Sequence, residues 1–308
     1  MRLLFAGTPA VAVPSLLALM ESSHEVTAVL TRPDAPAGRG RKSASSPIAD
    51  CARENGVAVF SPNRVSDEAF LQQLVDLAPE CCPVVAFGGL IPPQALDIPI
   101  RGWVNLHFSL LPAWRGAAPV QHAILHGDEI TGASTFLLNE GLDTGPVFGS
   151  LTQEIRRDDT SGELLQRLAV SGAQLLLRTI DGVASGELGA VPQRADGVSL
   201  APKITVAEAR VQWGSPALHV DRQVRACTPL PGAWTTFRGD RMKVLPVGPV
   251  ASGGELAAGA VDVSRAEVRV GTGSHAVRLG NVQPQGKRAM AAADWARGAR
   301  VESGELLV

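Results

Sequence analysis

The spacing of apolar positions changes several times along the chain, and each change marks an element. Leu3 to Ala6 is a short unbroken apolar run that meets Gly7-Thr8-Pro9, as expected of a buried strand entering a turn. Pro14 to Glu21 follows with apolar positions at helical spacing, and Glu25 to Thr31 is rich in β-formers. Strand, helix and strand at this distance predict a βαβ unit and a parallel sheet. The same reading gives a short helix over 48–55, a strand over 57–60, a helix over 66–78 with Ser66 as its cap, and a buried strand over 83–87. A strand over 103–108, a helix over 117–126, strands over 131–138 and 146–155, and a long amphipathic helix over 160–180 follow. Thr160 and Glu163 form a T-x-x-E capping box, and Gly182 is expected to end that helix.

Beyond Gly182 the texture alters. Residues 183–206 interleave Gly, Pro, Ser and Asp, and 191–206 read as a linker. From Ala207 the apolar runs are short and alternate, as at 266–270 and 275–279, which predicts strands. A catalytic α/β domain over 1–190, a linker over 191–206 and a small all-β domain over 207–308 are therefore expected. The first turn carries one glycine and no G-x-G-x-x-G, so the Rossmann-like sheet is not expected to bind a dinucleotide.

Composition narrows the class. The 308 residues are 45% hydrophobic and 19% charged, as in a water-soluble globular protein of about two domains. No run approaches the roughly 18 apolar residues of a membrane helix, so no membrane partner is expected. Cys51, Cys81, Cys82 and Cys227 have no C-x-x-C spacing. Neither a metal site nor a disulfide framework is expected, and the location is cytoplasmic. Charge is unevenly spread. Residues 1–190 hold 13 Lys/Arg against 20 Asp/Glu, whereas 191–308 hold 15 against 10. A basic second half on an acidic first half fits a nucleic-acid-binding appendage or merely a basic domain. Within the acidic half, Thr31 to Pro47 lacks apolar periodicity and carries Arg32, Arg39, Arg41 and Lys42 against Asp34 alone. That composition suits a loop contacting phosphates.

The candidate chemistry sits on the strand over 103–108. Trp103, Asn105 and His107 share one face, with Val104, Leu106 and Phe108 on the other. An amide and an imidazole two residues apart can act on one small group. Glu140-Gly-Leu-Asp143-Thr-Gly-Pro146 is a turn-rich stretch that offers a carboxylate. An Asn, a His and an Asp together can polarise a carbonyl, move a proton and hold the imidazole. His24, His122, His126, His219 and His275 lack such company and read as structural. Arg115-Gly116 is assigned no chemistry. Ser109 lies beside His107 but lacks the G-x-S-x-G elbow of a hydrolase.

The run Asn105-x-His107-x-Ser-Leu-Leu-Pro-x-Trp-Arg-Gly-Ala-Ala-Pro119, followed by Gly141-Leu-Asp143-Thr-Gly, resembles the active-site signature of the folate-dependent formyltransferases. Phe5-Ala-Gly-Thr-Pro9, Pro33 to Lys42, Ala201-Pro-Lys-Ile-Thr205 and Pro231-Gly-Ala-Trp234 are similar to the branch that acts on methionyl-tRNA. The resemblance spans essentially the whole chain. It implies the formyltransferase fold, α/β with a mostly parallel sheet, followed by a small OB-like β-barrel that binds tRNA. It implies 10-formyltetrahydrofolate as co-substrate, initiator methionyl-tRNA as partner, and a role in translation initiation, with a monomer expected.

The resemblance also implies roles for residues. Asn105, His107 and Asp143 would be catalytic. Phe87, Gly88, Gly89, Leu90, Ile91 and Pro92, with Ser109, Leu110, Leu111, Pro112, Asn139 and Glu140, would form the folate pocket. Arg32, Arg39, Arg41 and Lys42 would contact tRNA, with Arg39 reading the end of the acceptor stem. Two stretches depart from the pattern. Many relatives carry Tyr-Gly where this chain has Phe87-Gly88-Gly89, and Cys81-Cys82 opens the preceding strand. A related formyltransferase acting on a small amine, such as glycinamide ribonucleotide or a 4-amino nucleotide sugar, and a tRNA-binding protein with an inert site are the alternatives.

Overall fold

Five short, strongly apolar strands pair in parallel at the centre of the first unit. In the computed structural model, which describes residues 1–37, 42–250 and 256–308, these are β1 (Arg2–Gly7), β2 (Glu25–Leu30), β5 (Ala58–Phe60), β6 (Cys82–Val85) and β7 (Trp103–His107). β3 (Ala35–Ala37) and β4 (Lys42–Ala44) pair antiparallel in a separate two-stranded sheet. β8 (Ile130–Leu137) joins β7 antiparallel, and β9 (Val147–Glu154) joins β8. The seven-stranded order is β5-β2-β1-β6-β7-β8-β9, the mostly parallel sheet that the sequence predicts. Strand order reverses beside β1. Crevices outside the carboxyl ends of strands at such a point are where α/β sheets bind ligands.

The helices are α1 (Val13–Met20), α2 (Pro47–Glu54), α3 (Glu68–Leu77), α4 (Pro93–Leu96), α5 (Pro119–His126) and α6 (Ser161–Ser185). On one face of the sheet Trp103 is fully buried with Leu4, Ala6, Phe70, Leu74 and Ala95, and its indole Nε1 donates to the Ala95 carbonyl at 2.8 Å. On the other face Gly172 of α6 lies against Leu106. The two faces of β7 are thus both occupied, and its carboxyl end is fixed.

The chain divides into two compact units, and neither is continuous in sequence. One comprises Met1–Gly116, Ile130–Glu154 and Leu165–Leu200; the other comprises Ala117–Glu129, Ile155–Leu164 and Ala201–Val308. The second unit contains two four-stranded antiparallel sheets. Their orders are β10 (Trp234–Phe237), β11 (Asp240–Val244), β16 (Asn281–Pro284), β17 (Met290–Ala291), and β12 (Val247–Pro249), β15 (Val277–Leu279), β14 (Val268–Val270), β13 (Val261–Val263). The last residues of the chain stitch the sheets together. Val308 exchanges backbone hydrogen bonds with Thr236, and Leu307 N donates to Gly259 O.

Four local expectations need correction. The second unit is not all-β, because it also holds α7 (Ala217–Cys227) and α8 (Ala292–Ala299). Their buried positions, Ala217, Val220, Val224 and Cys227 in one and Ala292, Trp295 and Ala296 in the other, do follow helical spacing. They are surrounded by β-formers, which obscured them. α6 continues through Gly182, where a side chain would press on Leu188. That glycine serves a close approach, and the left-handed exit comes at Gly186. Asp67, not Ser66, precedes α3, and its carboxylate accepts from Arg64 N at 3.1 Å. β6 ends at Val85 because Ala86 adopts φ +47°.

The T-x-x-E box of α6 forms as expected. Thr160 N and Oγ1 both donate to Glu163 Oε2, at 3.0 and 2.7 Å, and Glu163 N donates to Thr160 Oγ1. Thr160→Ala should therefore lower the free energy of unfolding by about 1 kcal/mol. Urea denaturation would measure it, and an unchanged midpoint would show that the box does not hold the helix.

Candidate active site

β7 delivers its two polar side chains to the carboxyl end of the sheet. Asn105 is half-buried, and its amide has no hydrogen-bond partner among the described residues. His107 is 6% exposed. Its ring and that of Phe136 stand edge to face, with centroids 6.3 Å apart. Nε2 lies 2.8 Å from the Trp114 carbonyl. A carbonyl only accepts, so Nε2 carries the proton there. Nδ1 faces Asp143 Oδ2 at 3.7 Å. That separation is an ion-pair distance and exceeds a hydrogen bond. A proton on Nδ1 thus retains capacity for a second acceptor beside the strand.

Both contacts of the ring come from backbone held in a costly conformation. Trp114 has φ +58° and Asp143 has φ +51°. An Asp tolerates this region better than most residues and a Trp does not. Asp143 Oδ2 also accepts from Gly116 N at 2.7 Å, so the two turns are joined across the site. The Asp143 turn lies close against β8, where a side chain at Gly145 would collide with the Leu137 carbonyl. Asn139 shapes the same turn: its Oδ1 accepts from Gly141 N at 3.1 Å and Thr144 Oγ1 at 2.9 Å.

The turns after β1 and β6 meet next to this end of the sheet. Thr8 Oγ1 donates to the Phe87 carbonyl at 2.8 Å, and Arg32 Nη1 donates to the Gly88 carbonyl at 2.6 Å. Arg32, expected on tRNA, is exposed and also holds the glycine turn. Arg39 and Arg41 lie outside the described residues, and Lys42 is placed only as backbone paired with Ala37.

The residues expected in the folate pocket fall into three groups. Phe87 is a core residue, Gly88 and Leu90 are exposed, and Gly89, Ile91 and Pro92 are half-buried. Ser109 is fully buried, and its hydroxyl donates to the Ala113 carbonyl at 2.6 Å. Ser109 is thus spent on its own turn, and Leu110, Leu111 and Pro112 are half-buried beside it. Asn139 and Glu140 line a cavity of about 560 Å³ whose other walls are Pro93, Leu96, Asp97, Pro99 to Gly102, Leu137 and Leu138. Its volume lies in the range of small-molecule sites. Apolar Leu96, Ile100 and Leu138, with Asp97, Arg101, Asn139 and Glu140 among them, suit a flat polar heterocycle such as a pterin. The 93–102 wall carries no motif, and nothing in the sequence marks it as lining a cavity. The Trp114 carbonyl and Gly116 N were missed because backbone atoms carry no sequence label.

The comparisons with known proteins concern the family. The family described as formyl transferase matches residues 1–180, and the family described as formyl transferase, C-terminal domain, matches 203–300. The chain is 63% identical over 308 residues to the methionyl-tRNA formyltransferase of Streptomyces griseus, covering 100% of this chain and 99% of the relative. Among solved structures it is similar in fold to HypX from Aquifex aeolicus in complex with tetrahydrofolic acid. The TM-score is 0.67 at 17% identity, over 99% of this chain and 48% of that one. It is also similar to the methionyl-tRNA formyltransferase from Clostridium thermocellum, with a TM-score of 0.59 at 13% identity, over 91% and 98% of the two chains. Matched over both of its parts, and carrying Asn105, His107 and Asp143 around one end of the central sheet, the chain belongs to the formyltransferase family.

Proposed function

We propose that this chain transfers the formyl group of 10-formyltetrahydrofolate to the α-amino group of methionine on initiator methionyl-tRNA, giving the formylated aminoacyl-tRNA used to start translation. The observation that carries the reading is identity of 63% with a methionyl-tRNA formyltransferase across both parts of the chain. Relatives that act on small amines share a catalytic fold of this kind, and identity with a methionyl-tRNA formyltransferase over the whole chain, 203–300 included, favours the tRNA acceptor.

Folate supplies the formyl group, and the cavity at Leu137 to Glu140 and Pro93 to Gly102 would hold its pterin end. The acceptor amine is part of an aminoacyl ester, which weakens its basicity and leaves it nucleophilic near neutral pH. No enzyme nucleophile is needed. Asn105 offers a free amide donor where negative charge grows on the formyl oxygen, a role worth roughly two to three powers of ten in rate. His107 Nδ1 faces Asp143 Oδ2 at 3.7 Å, and a proton placed on that nitrogen would be a second donor to the formyl oxygen. The Trp114 carbonyl keeps Nε2 occupied, so the ring cannot turn over.

In this reading residues 1–190 form the catalytic domain, 191–206 connect it, and 207–308 bind tRNA together with Arg32, Arg39, Arg41 and Lys42. The chain is proposed to act as a monomer. The acceptor supports work in the cytoplasm.

Formyl transfer to methionyl initiator tRNA, with glycinamide ribonucleotide and a 4-amino sugar nucleotide in parallel, tests the acceptor; transfer only to a small amine would overturn it. Asn105→Ala should slow single-turnover formylation by about 100- to 1000-fold with unchanged tRNA affinity. A rate within a few-fold of the parent would remove Asn105 from the mechanism. Arg39→Ala should impair formylation of initiator tRNA and leave folate binding intact, whereas equal loss of folate affinity would contradict its assignment to tRNA.

A further inference from the structure

We propose that Gln193 is a positioning residue for this reaction: its amide braces the backbone turn that presents Asp143 to His107. The proposal rests on the formyl-transfer reading for its consequence, though not for its geometry.

The amide of Gln193 uses every donor and acceptor it has. Oε1 accepts from Arg115 Nε at 3.1 Å and Nη2 at 2.7 Å. Nε2 donates to the Asp143 carbonyl at 2.8 Å and to the Gly145 carbonyl at 2.7 Å. The partners fix its orientation, since a guanidinium only donates and carbonyls only accept. Arg115, for which sequence suggested no chemistry, is thereby the anchor of the brace.

The surrounding segment supports a dedicated role. Residues 191–200 are exposed except for Gln193 and Ser199. Ser199 holds the other catalytic turn: Trp114 N donates to Ser199 Oγ and Arg115 N to Ser199 O, each at 2.9 Å. The two turns that grip His107 both place a non-glycine residue at positive φ. Such backbone persists only where surrounding contacts over-determine it. The two inward-facing residues of this segment supply those contacts, one to each turn. Without Gln193 the Asp143 turn keeps the Gly116 N contact but loses both carbonyl anchors. The carboxylate then wanders relative to Nδ1, and displacements of this kind weaken catalysis without touching substrate.

Gln193→Leu removes all four hydrogen bonds at similar volume. Gln193→Glu still accepts from Arg115 but donates to neither carbonyl. Both variants should lose roughly 10- to 100-fold in kcat for formyl transfer, with the KM values for tRNA and folate within about two-fold of the parent. The imidazole ¹⁵N resonances of His107 should move in both, a readout independent of turnover. Near-parental kcat in Gln193→Glu would mean that only the Arg115 anchor matters and would overturn the proposal. So would unmoved His107 resonances, or a loss carried by KM alone. An unsubstituted protein inactive on every acceptor, with His107 resonances that move in the variants, would sink the functional reading and leave the brace standing.

Discussion

The site depends on the hydrogen bond from His107 Nε2 to the Trp114 carbonyl. It decides which nitrogen of the ring is committed to structure and which faces the reaction. With Nε2 committed, Nδ1 is left between the strand face that carries Asn105 and the carboxylate of Asp143, 3.7 Å away. A closer carboxylate would take the proton's full hydrogen-bonding capacity. A more distant one would leave Nδ1 without an acidic partner in a buried place. The geometry therefore tolerates little drift, and the protein spends backbone strain of about 1–3 kcal/mol at each of Trp114 and Asp143 to set it.

The fold makes that strain sustainable. β7 is paired on both sides and buried on both faces, so Asn105 and His107 leave the sheet at a fixed place. The Asp143 turn is pressed against β8 at Gly145, where only a glycine fits. Thr8 after β1 and Arg32 after β2 both tie down the turn after β6. The Thr8 and Arg32 supports are hydrogen bonds to backbone carbonyls, while β7 and Gly145 are held by strand pairing and close packing. Chemistry is thus carried by few side chains, and precision by many main-chain atoms.

That division explains what the sequence made legible. The parallel sheet was readable because its strands are short apolar runs broken by Gly and Pro. Asn105 and His107 were readable because they share a strand face, and Asp143 only through the resemblance of its turn to the formyltransferase signature. The pocket was harder. Phe87 and Ser109 looked like lining residues, yet one packs in the core and the other closes its own turn. The wall from Pro93 to Gly102 has no periodicity to mark it. Gln193 sat in a stretch of Gly, Pro and Asp that reads as a connection, and nothing local reveals that it reaches Asp143. Contacts between residues far apart in the chain, made to backbone atoms, leave the weakest trace in sequence.

The most direct measurement is the protonation pattern of the His107 ring in the resting protein, read by ¹⁵N-edited NMR of the imidazole groups with a His107 variant for assignment. The account predicts a proton on Nε2, slow to exchange because it is bound to the Trp114 carbonyl, whatever the state of Nδ1. A neutral ring protonated at Nδ1 alone would contradict it, since the Trp114 carbonyl would then face a lone pair and the arrangement of the site would have to be drawn again.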